Sequence, residues 1–376
     1  MARFFPLSGR KAQHRRRETM RLRTSFGVVV LRVWRGKDPV SGRWGIPIRQ
    51  RWSLSAHQQL SPAMEEKLAY FATVTGSYEV ASQLARKVGL AVEDSTVHAL
   101  VQRQGARAEQ QTRARLRTVP REKAPARAPT PLGVLMIDGF MVRYRGPGWG
   151  RRKTAHWRVE WHEEKIGVFY RHEQASRGGL AEKVVVSLRA EPAELGERLH
   201  WEAVRAGLGR AREILVLGDG AAWIWNLARD RWSQAHQLLD FYHGSQHLWA
   251  LGQALHPRDS ERKQQWTEKG LHGLRHGKQQ RVLREIAALP RQRGQWGKVI
   301  RAEQDYFAGQ AGRMNYAGVA ARGWPIGSGA VESACRQKQC RFKRPGQFWS
   351  EKGMRHLNAL IEARQNDHWD ELWLSA

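Results

Sequence analysis

Two aspartates follow apolar runs and are each followed by glycine. Asp138 comes after Val-Leu-Met-Ile, and Asp219 comes after Leu-Val-Leu-Gly. Asp-Gly is a common turn signal, so either residue alone is most simply interpreted as a turn residue at a strand end. Two such carboxylates on neighbouring strands would repel each other unless a cation bridges them. The pair therefore predicts either two turns or a site for a hard divalent cation such as Mg²⁺, which takes oxygen ligands.

A third acid, Glu332, lies far along the chain, shortly after Gly327-Ser328-Gly329. These small residues predict a flexible entry into a helix, and Glu332 would fall in the first turn, where the helix dipole favours an ionised carboxylate. The alternative is a surface ion pair with Arg336 at i,i+4 spacing, which would stabilise the helix by only about 0.3–0.5 kcal/mol. Several basic residues crowd behind this one acid: Arg336, Lys338, Arg341, Lys343 and Arg344.

The charge of the chain points to a polyanionic partner. Its 376 residues include 64 lysines and arginines against 35 aspartates and glutamates, a formal net charge of +29. Lys and Arg that neutralise phosphates supply most of the affinity in non-specific nucleic-acid binding. A membrane surface or an anionic polysaccharide would also fit the charge alone. With DNA as the partner, metal ions held by the acids would activate water or a 3′-hydroxyl and stabilise the leaving oxygen in phosphoryl transfer.

The cysteines and the apolar segments exclude several classes of protein. Cys335 and Cys340 lie five residues apart on one predicted helix, and therefore on different faces. This spacing excludes a disulfide framework and a CxxC zinc site. The N-terminal sequence is basic without a long apolar core, and the run "FGVVVLRVW" is interrupted by Arg32. We therefore expect no signal peptide and no transmembrane span, and a cytoplasmic protein with access to DNA.

Periodicity and turn signals predict the helices and strands that position these residues. The length of the chain predicts two or three compact folding units. The predicted regions are a basic N-terminal region (1–60), a helix-turn-helix region (61–116), a Pro-rich linker (117–132), the first part of an α/β core (133–256), a helical insertion (257–320) and a C-terminal helical part of the core that carries the third acid (321–376). The role of the first region does not follow from its sequence.

The region 61–116 has the order helix, short turn with glycine, helix, which is a helix-turn-helix pattern. The first helix is expected to bury Val80, Ala81, Leu84 and Val88, and the second Val97, Leu100 and Val101. The outer face of the second helix would present four residues to phosphates or base edges: Ser95, Thr96, His98 and Arg103. The alternative is an ordinary helical hairpin with a polar outer face.

The region 133–256 predicts three strands, a helix, a buried strand and another helix. This order matches a ribonuclease-H-like core, although periodicity does not give the order of strands in the sheet. The predicted fold class is therefore mixed α/β, with a ribonuclease-H-like catalytic core and a helical insertion, preceded by the helix-turn-helix region.

Four sequence motifs resemble those of DDE transposases of bacterial insertion sequences, in particular the ISKra-type group related to Mutator-like transposases. They are "IDGFMV", "LGDGAAWIWN", "LLDFYHGSQHL" and "PIGSGAVESACRQ" followed by "RFKRPGQFW", in that order along most of residues 60–376. The resemblance implies that Asp138, Asp219 and Glu332 form an acidic triad that binds two Mg²⁺ or Mn²⁺ ions. It also implies a nucleoid-associated enzyme that binds inverted-repeat ends and target DNA, both double-stranded, and forms a homo-oligomer on them.

The same resemblance extends to an Asp-x-x-His signature, formed here by Asp240 and His243. It implies that both residues support the site, whereas the alternative is a helix cap and a core histidine. Trp324 and Trp349 flank the Glu332 helix and are candidates for stacking on bases. The basic segment behind Glu332 would hold phosphates through Arg336, Arg341, Lys343 and Arg344. Two other functions stay open: a catalytically silent or repurposed DNA-binding protein, and a ribonuclease-H-like repair nuclease.

Overall fold

The computed structural model describes residues 3–52, 54–55, 58–117, 131–150, 158–173, 180–205, 211–290 and 292–374. The chain divides into two compact units. An N-terminal unit combines Met1–Arg113 with Cys340–Ala376, and a core unit comprises Ala114–Gln339. The expectation that all of 321–376 belongs to the core is therefore corrected, because the chain from Cys340 onward packs with the N-terminal unit. Most of the predicted Pro-rich linker (117–132) lies outside the described residues.

The N-terminal unit begins with a long antiparallel hairpin. Strands β1 (Gln13–Thr24) and β2 (Gly27–Lys37) pair along nearly their whole length, and the short β3 (Trp44–Gly45) pairs with β2. One face of the hairpin buries Met20 and Val33. The sequence indicated only β2, since the charged residues of β1 hide its alternation.

Four helices follow in this unit: α1 (Pro47–Arg51), α2 (Pro62–Val74), α3 (Tyr78–Lys87) and α4 (Asp94–Arg117). The side chain of Ser61 accepts a hydrogen bond from the backbone N–H of Met64 and so caps α2. Helix α4 runs through Gly105, where a side chain would collide with the backbone carbonyl of His356. Glycine therefore permits a close backbone approach at this position.

Helices α3 and α4 show the predicted helix, turn, helix order, but α3 buries a different face from the one expected. Its buried residues are Ala81, Ser82 and Ala85, and three apolar residues expected inside are exposed: Val80, Leu84 and Val88. Helix α3 packs against α2, and small side chains on a buried face allow helices to pack closely. On α4 the prediction is confirmed, because Val97, Leu100 and Val101 are all buried.

A five-stranded mixed sheet forms the centre of the core unit. The strands are β4 (Leu132–Arg145), β5 (Val159–His172), β6 (Leu180–Leu188), β7 (Glu213–Gly218) and β8 (His236–Leu239). Their order across the sheet is β6-β5-β4-β7-β8. The pairs β4–β5 and β5–β6 are antiparallel, whereas β4–β7 and β7–β8 are parallel. The mixed α/β class is thus present, with two further helices on the same chain segment: α5 (Pro192–Arg205) and α6 (Ala222–Arg231).

The chain after β8 is helical. The successive helices are α7 (Phe241–Leu255), α8 (Ser260–Arg275), α9 (Gln279–Ala287), α10 (Gly294–Gln310), α11 (Tyr316–Ala321), α12 (Gly329–Phe342), α13 (Glu351–Gln365) and α14 (Trp369–Leu374). Helix α7 packs against both α8 and α10. Among the described helices, none combines the length and the apolar character needed to cross a membrane.

Candidate functional site

The two aspartates lie on neighbouring parts of the sheet, Asp138 within β4 and Asp219 directly after β7. In the parallel pair β4–β7, Met136 lies opposite Leu217. Two residues further along each chain come Asp138 and Asp219, and neighbouring strands lie only about 4.8 Å apart. The negative charge of Asp219 acts on Asp138 and raises its pKa. The sheet register therefore brings the chain at Asp219 next to the strand that carries Asp138.

Asp138 is not a turn residue. It pairs with Ile166 in the middle of β4, and the strand continues past it. One carboxylate oxygen, Oδ1, accepts a hydrogen bond from the backbone N–H of Gly139 at 2.7 Å. The other, Oδ2, accepts one from the Cys335 thiol at 3.3 Å. Since Cys335 lies on α12, this contact joins the central strand to the helix that carries Glu332.

The surroundings of Asp138 disfavour its negative charge. Burial raises its pKa above the usual value and is the largest effect, and the neighbouring Asp219 adds to the rise. Hydrogen bonds from Gly139 and Cys335, together with the charge of His243, act in the opposite direction. Two adjacent, partly buried carboxylates present oxygen donors of the type that Mg²⁺ and Mn²⁺ prefer, and a bound cation would offset their repulsion. The donor chemistry at this point of the sheet therefore fits a divalent cation.

Asp219 does form the predicted turn. Its Oδ1 accepts a hydrogen bond from the backbone N–H of Ala221 at 2.9 Å, and Gly220 adopts a φ of +105°. A side chain at Gly220 would also collide with the ring of Tyr306. Helix α10 holds this turn, because the Tyr306 hydroxyl donates to the Asp219 carbonyl and the Gln310 amide donates to the Gly220 carbonyl, both at 2.9 Å. The turn and ligand interpretations of Asp219 are therefore compatible.

Glu332 lies in the first turn of α12, as predicted, and is exposed. Its Oε1 accepts a hydrogen bond from the Ser328 hydroxyl at 3.1 Å. Within the described part of the chain it forms no ion pair with Arg336, so the ion-pair alternative is not observed. Both Glu332 and Asp138 raise the pKa of the Cys335 thiol, secondary to the effect of burial.

The three acids are only partly assembled. Asp138 and Asp219 lie on neighbouring parts of the sheet, and Cys335, three residues after Glu332 on α12, contacts Asp138. Among the described residues, no three His, Cys, Asp or Glu side chains form a group ready to hold a metal ion. The convergence of Asp138, Asp219 and Glu332 on a metal ion therefore stays a prediction.

Asp240 connects the sheet to the helix of the third acid. It is buried, with 2% of its surface exposed, between β8 and α7. Its Oδ1 accepts a hydrogen bond from the backbone N–H of His243 at 2.6 Å, which makes it the cap of α7. Its Oδ2 accepts from the backbone N–H of Ser328, at the entry to α12. The helix-cap interpretation is thus confirmed, and the same carboxylate also fixes the residue that contacts Glu332.

A hydrogen-bonded chain behind the site was not anticipated from the sequence. His243 Nε2 lies 3.3 Å from His247 Nε2, and His247 Nδ1 lies 2.6 Å from a carboxylate oxygen of Glu303. The ring of Tyr306 stacks on that of His247 at 3.6 Å. The spacing of His243 and His247, four residues apart on a helix, was a signal for this pair. Nothing local marked Glu303 or Tyr306, which lie on α10.

Most of the predicted DNA-binding residues are at the surface. The exposed ones are Ser95, Thr96, His98, Arg336, Lys343 and Arg344. Arg103 is also exposed, but it pairs with the buried carboxylate of Glu65. Trp324 is half-buried, with its ring against His236 and the guanidinium of Arg322. Arg103 and Trp324 therefore have structural partners already, in addition to their predicted roles.

Two predicted DNA contacts are wrong because the side chains lie inside the N-terminal unit. Arg341 is 3% exposed, donates to the Ala72 carbonyl at 3.2 Å and stacks on Tyr78. Burial lowers its pKa to about 10. Trp349 is buried too, and its indole N–H donates to the Phe342 carbonyl at 3.0 Å. Arg341 and Trp349 hold the unit together and do not present their side chains to phosphates or bases.

Comparisons with known proteins show similarity to solved structures only. No family model and no curated protein matches the chain. The Drosophila P element transposase strand transfer complex is similar over 83% of this chain and 80% of its own, with 10% sequence identity and a TM-score of 0.27. What the chain does must therefore be inferred from the residues of the site themselves.

Proposed function

We propose that the chain is a DDE-type transposase with a ribonuclease-H-like core. It would bind the inverted-repeat ends of an insertion sequence, cleave them and join the 3′-hydroxyl to target DNA. The observation that carries the proposal is the position of Asp138 on β4 and of Asp219 directly after the parallel neighbour β7, with α12 tied to Asp138 through Cys335. The net charge of +29 supports DNA as the substrate.

In this proposal Asp138, Asp219 and Glu332 hold two Mg²⁺ or Mn²⁺ ions. When bound, such ions lower the pKa of an attacking water or hydroxyl and stabilise the charge on the leaving oxygen. The chain's own residues set where this happens. The backbone N–H of Gly139 and the Cys335 thiol orient the Asp138 carboxylate, and α10 fixes the turn that carries Asp219.

Asp240 and His243 would support the site without touching DNA. Asp240 fixes Ser328, whose hydroxyl donates to Glu332, so it acts on the third acid through one intermediate residue. His243 favours the ionised form of Asp138, since its charge lowers the pKa of that carboxyl. His247 and Glu303 hold His243 in place through the hydrogen-bonded chain on α7 and α10.

DNA would be held by exposed residues on both units. The outer face of α4 would read the ends through Ser95, Thr96, His98 and Arg103, and the charged surface behind Glu332 would bind phosphates through Arg336, Lys343 and Arg344. Trp324 is the remaining candidate for stacking on a base. Because both inverted-repeat ends of the element would be cut together, the chain would act as a homo-oligomer assembled on DNA.

The decisive experiment measures Mg²⁺-dependent cleavage of DNA that carries the inverted repeats flanking the gene. Asp219→Asn should abolish cleavage, whereas the control Asp230→Asn, at an exposed aspartate of α6, should not. Binding of Mn²⁺, followed by the electron paramagnetic resonance signal of the free ion, should weaken in the first variant only. Unchanged cleavage by Asp219→Asn would sink the metal-site proposal.

The same assay separates the alternatives. Cleavage of a Holliday junction or an RNA–DNA hybrid in preference to inverted-repeat DNA would indicate a repair nuclease. Specific binding to the repeats without Mn²⁺ binding or cleavage would indicate a repurposed DNA-binding protein.

A further inference from the structure

The hairpin of the N-terminal unit has one face packed and one face open. Met20 and Val33 point towards Ile48. Because side chains alternate along a strand, the residues between them point the other way. The cross-strand neighbours on this outward face are Arg17 with Trp34, Thr19 with Arg32, Arg21 with Val30 and Arg23 with Val28. Arginine is therefore present at each of the four levels of the outward face.

These arginines have little to neutralise them within the protein. Among the residues that the structure describes, no carboxylate lies within ion-pairing distance of Arg17, Arg21 or Arg32. By contrast, Arg35 on the packed face pairs with Glu18 at 3.2 Å. On the outward face, three guanidinium groups surround the ring of Trp34 instead: those of Arg3, Arg15 and Arg17, at 5.4, 5.6 and 4.4 Å. Unpaired cations gathered on one open face attract a polyanion.

The end of the hairpin lies beside the helix-turn-helix elements. The Arg23 guanidinium donates to the carbonyl of Ala91, in the turn between α3 and α4. The Lys67 ammonium group of α2 donates to the hydroxyl of Ser25, in the hairpin turn. The next residue, Phe26, is 98% exposed at the tip. The outward face of the hairpin is thus close to the start of α4, within the same compact unit.

We propose that this outward face binds the backbone of double-stranded DNA next to the segment contacted by α4, with Phe26 entering the adjacent minor groove. A two-stranded ribbon fits a DNA groove, and exposed apolar side chains at the tips of such elements can wedge between base steps. The choice of DNA as the polyanion rests on the proposed function. The hairpin gives residues 1–60 a role that their sequence alone did not indicate.

The test measures binding of the full chain to a short random-sequence DNA duplex in EDTA, by fluorescence anisotropy at several salt concentrations. The hairpin variant combines Arg17→Gln, Arg21→Gln and Arg32→Gln. The control variant removes the same charge from exposed positions of α8 and α9 and combines Arg262→Gln, Arg281→Gln and Arg284→Gln. Two of the control arginines pair with neighbouring acids, Asp259 and Glu285.

The hairpin variant should bind about tenfold more weakly or worse, and the slope of log Kd against log salt should fall by about 0.9 for each phosphate that is no longer neutralised. The control variant should keep most of the affinity and slope. Phe26→Ser should weaken binding and leave the salt slope unchanged, because it removes no charge. Each substitution is at an exposed position, and circular dichroism and thermal unfolding should match the unsubstituted protein.

Equal reductions of affinity in the hairpin and control variants would overturn this proposal and leave the proposed function intact, since DNA binding would persist elsewhere. No duplex binding by the unsubstituted chain would contradict both. Vesicles of phosphatidylcholine with phosphatidylserine provide the other comparison. If the hairpin variant no longer binds vesicles and keeps DNA binding, the partner of this face is an anionic membrane and the proposal is wrong.

Discussion

The core site and the outward face of the hairpin both gather like charges, but they hold them in opposite ways. In the core, Asp138 and Asp240 each accept hydrogen bonds at both carboxylate oxygens, from backbone N–H groups or a thiol. On the hairpin, Arg17, Arg21 and Arg32 have no carboxylate partner among the described residues. Chemistry on one phosphate requires a fixed geometry. Binding along a phosphate backbone requires charge density and tolerates mobile side chains.

The largest expected effect separates catalysis at the core site from DNA binding by the hairpin. At saturating DNA, Asp219→Asn should lower the single-turnover cleavage rate by about 10³-fold or more, because metal ions contribute several kcal/mol to transition-state stabilisation. Its affinity for DNA should not fall. The hairpin variant should show the reverse, with weak binding and a near-normal rate once DNA is saturating. A hairpin variant that binds normally but cleaves slowly would contradict the division of roles.

The fixed geometry of the core can be tested at Asp240, with a second helix cap as the control. Asp240→Ala leaves the partly buried backbone N–H of His243 and the buried one of Ser328 without their acceptor, and should lower the free energy of unfolding by about 2–4 kcal/mol. Asp259 caps α8 by a hydrogen bond from the Arg262 backbone N–H at an exposed position. Asp259→Ala should cost only about 1 kcal/mol. Urea unfolding measures both, and equal decreases would show that the hydrogen bond from Ser328 adds nothing.

Arg341 and Lys343 sharpen the comparison within one short segment. Arg341→Met removes the donors to the carbonyls of Ala72 and Gly76 and should lower the free energy of unfolding by about 1–3 kcal/mol. Lys343→Met changes an exposed side chain and should stay within about 0.5 kcal/mol. Only Lys343→Met should weaken DNA binding, because Lys343 is exposed and can contact a phosphate whereas Arg341 is buried. Weaker DNA binding by a fully folded Arg341→Met protein would restore Arg341 as a DNA contact.

The smallest expected effect concerns pH. His356 is 3% exposed and shares a hydrogen bond with the Gln102 side chain at 3.0 Å. Burial lowers its pKa below the usual value of about 6.5, so the folded protein keeps it neutral while the unfolded chain takes up a proton. Stability should therefore fall as the pH drops below about 6.5 and should level off below the pKa of the folded state. His356→Gln should flatten the pH dependence of thermal unfolding over that range, and an unchanged pH slope would contradict the assignment.

Local signals in the sequence predicted the local parts of the site. The apolar runs before Asp138 and Asp219 indicated two strands, and Gly327-Ser328-Gly329 indicated the start of α12 with Glu332 in its first turn. These features depend on residues within one turn or one strand. The pairing of the two strands, which makes the acids neighbours, was predicted only as a consequence of their shared pattern.

The sequence-based predictions failed where contacts between residues far apart in the chain determine the environment of a side chain. Asp138 was expected at a strand end, but β5 pairs with β4 on both sides of it and extends the strand. Arg341 was expected outside, but its acceptors come from Ala72 and Gly76, more than half the chain away. Glu303 carries no local mark of its contact with His247. Hydropathy favoured Val80 and Leu84 as the inner face of α3, whereas close helix packing selected the smaller residues.

The two thiols of α12 differ in their access to solvent, so Cys340 can serve as an internal reference for the labelling of Cys335. Cys335 is buried against Asp138, and burial raises the pKa of its thiol, whereas Cys340 on the same helix is exposed. Alkylating reagents attack thiolates, so they should label Cys340 at once and Cys335 only during the moments when the helix leaves the central strand. The labelling rate of Cys335 then counts those openings, and a ligand that closes the acidic site should slow it without affecting Cys340.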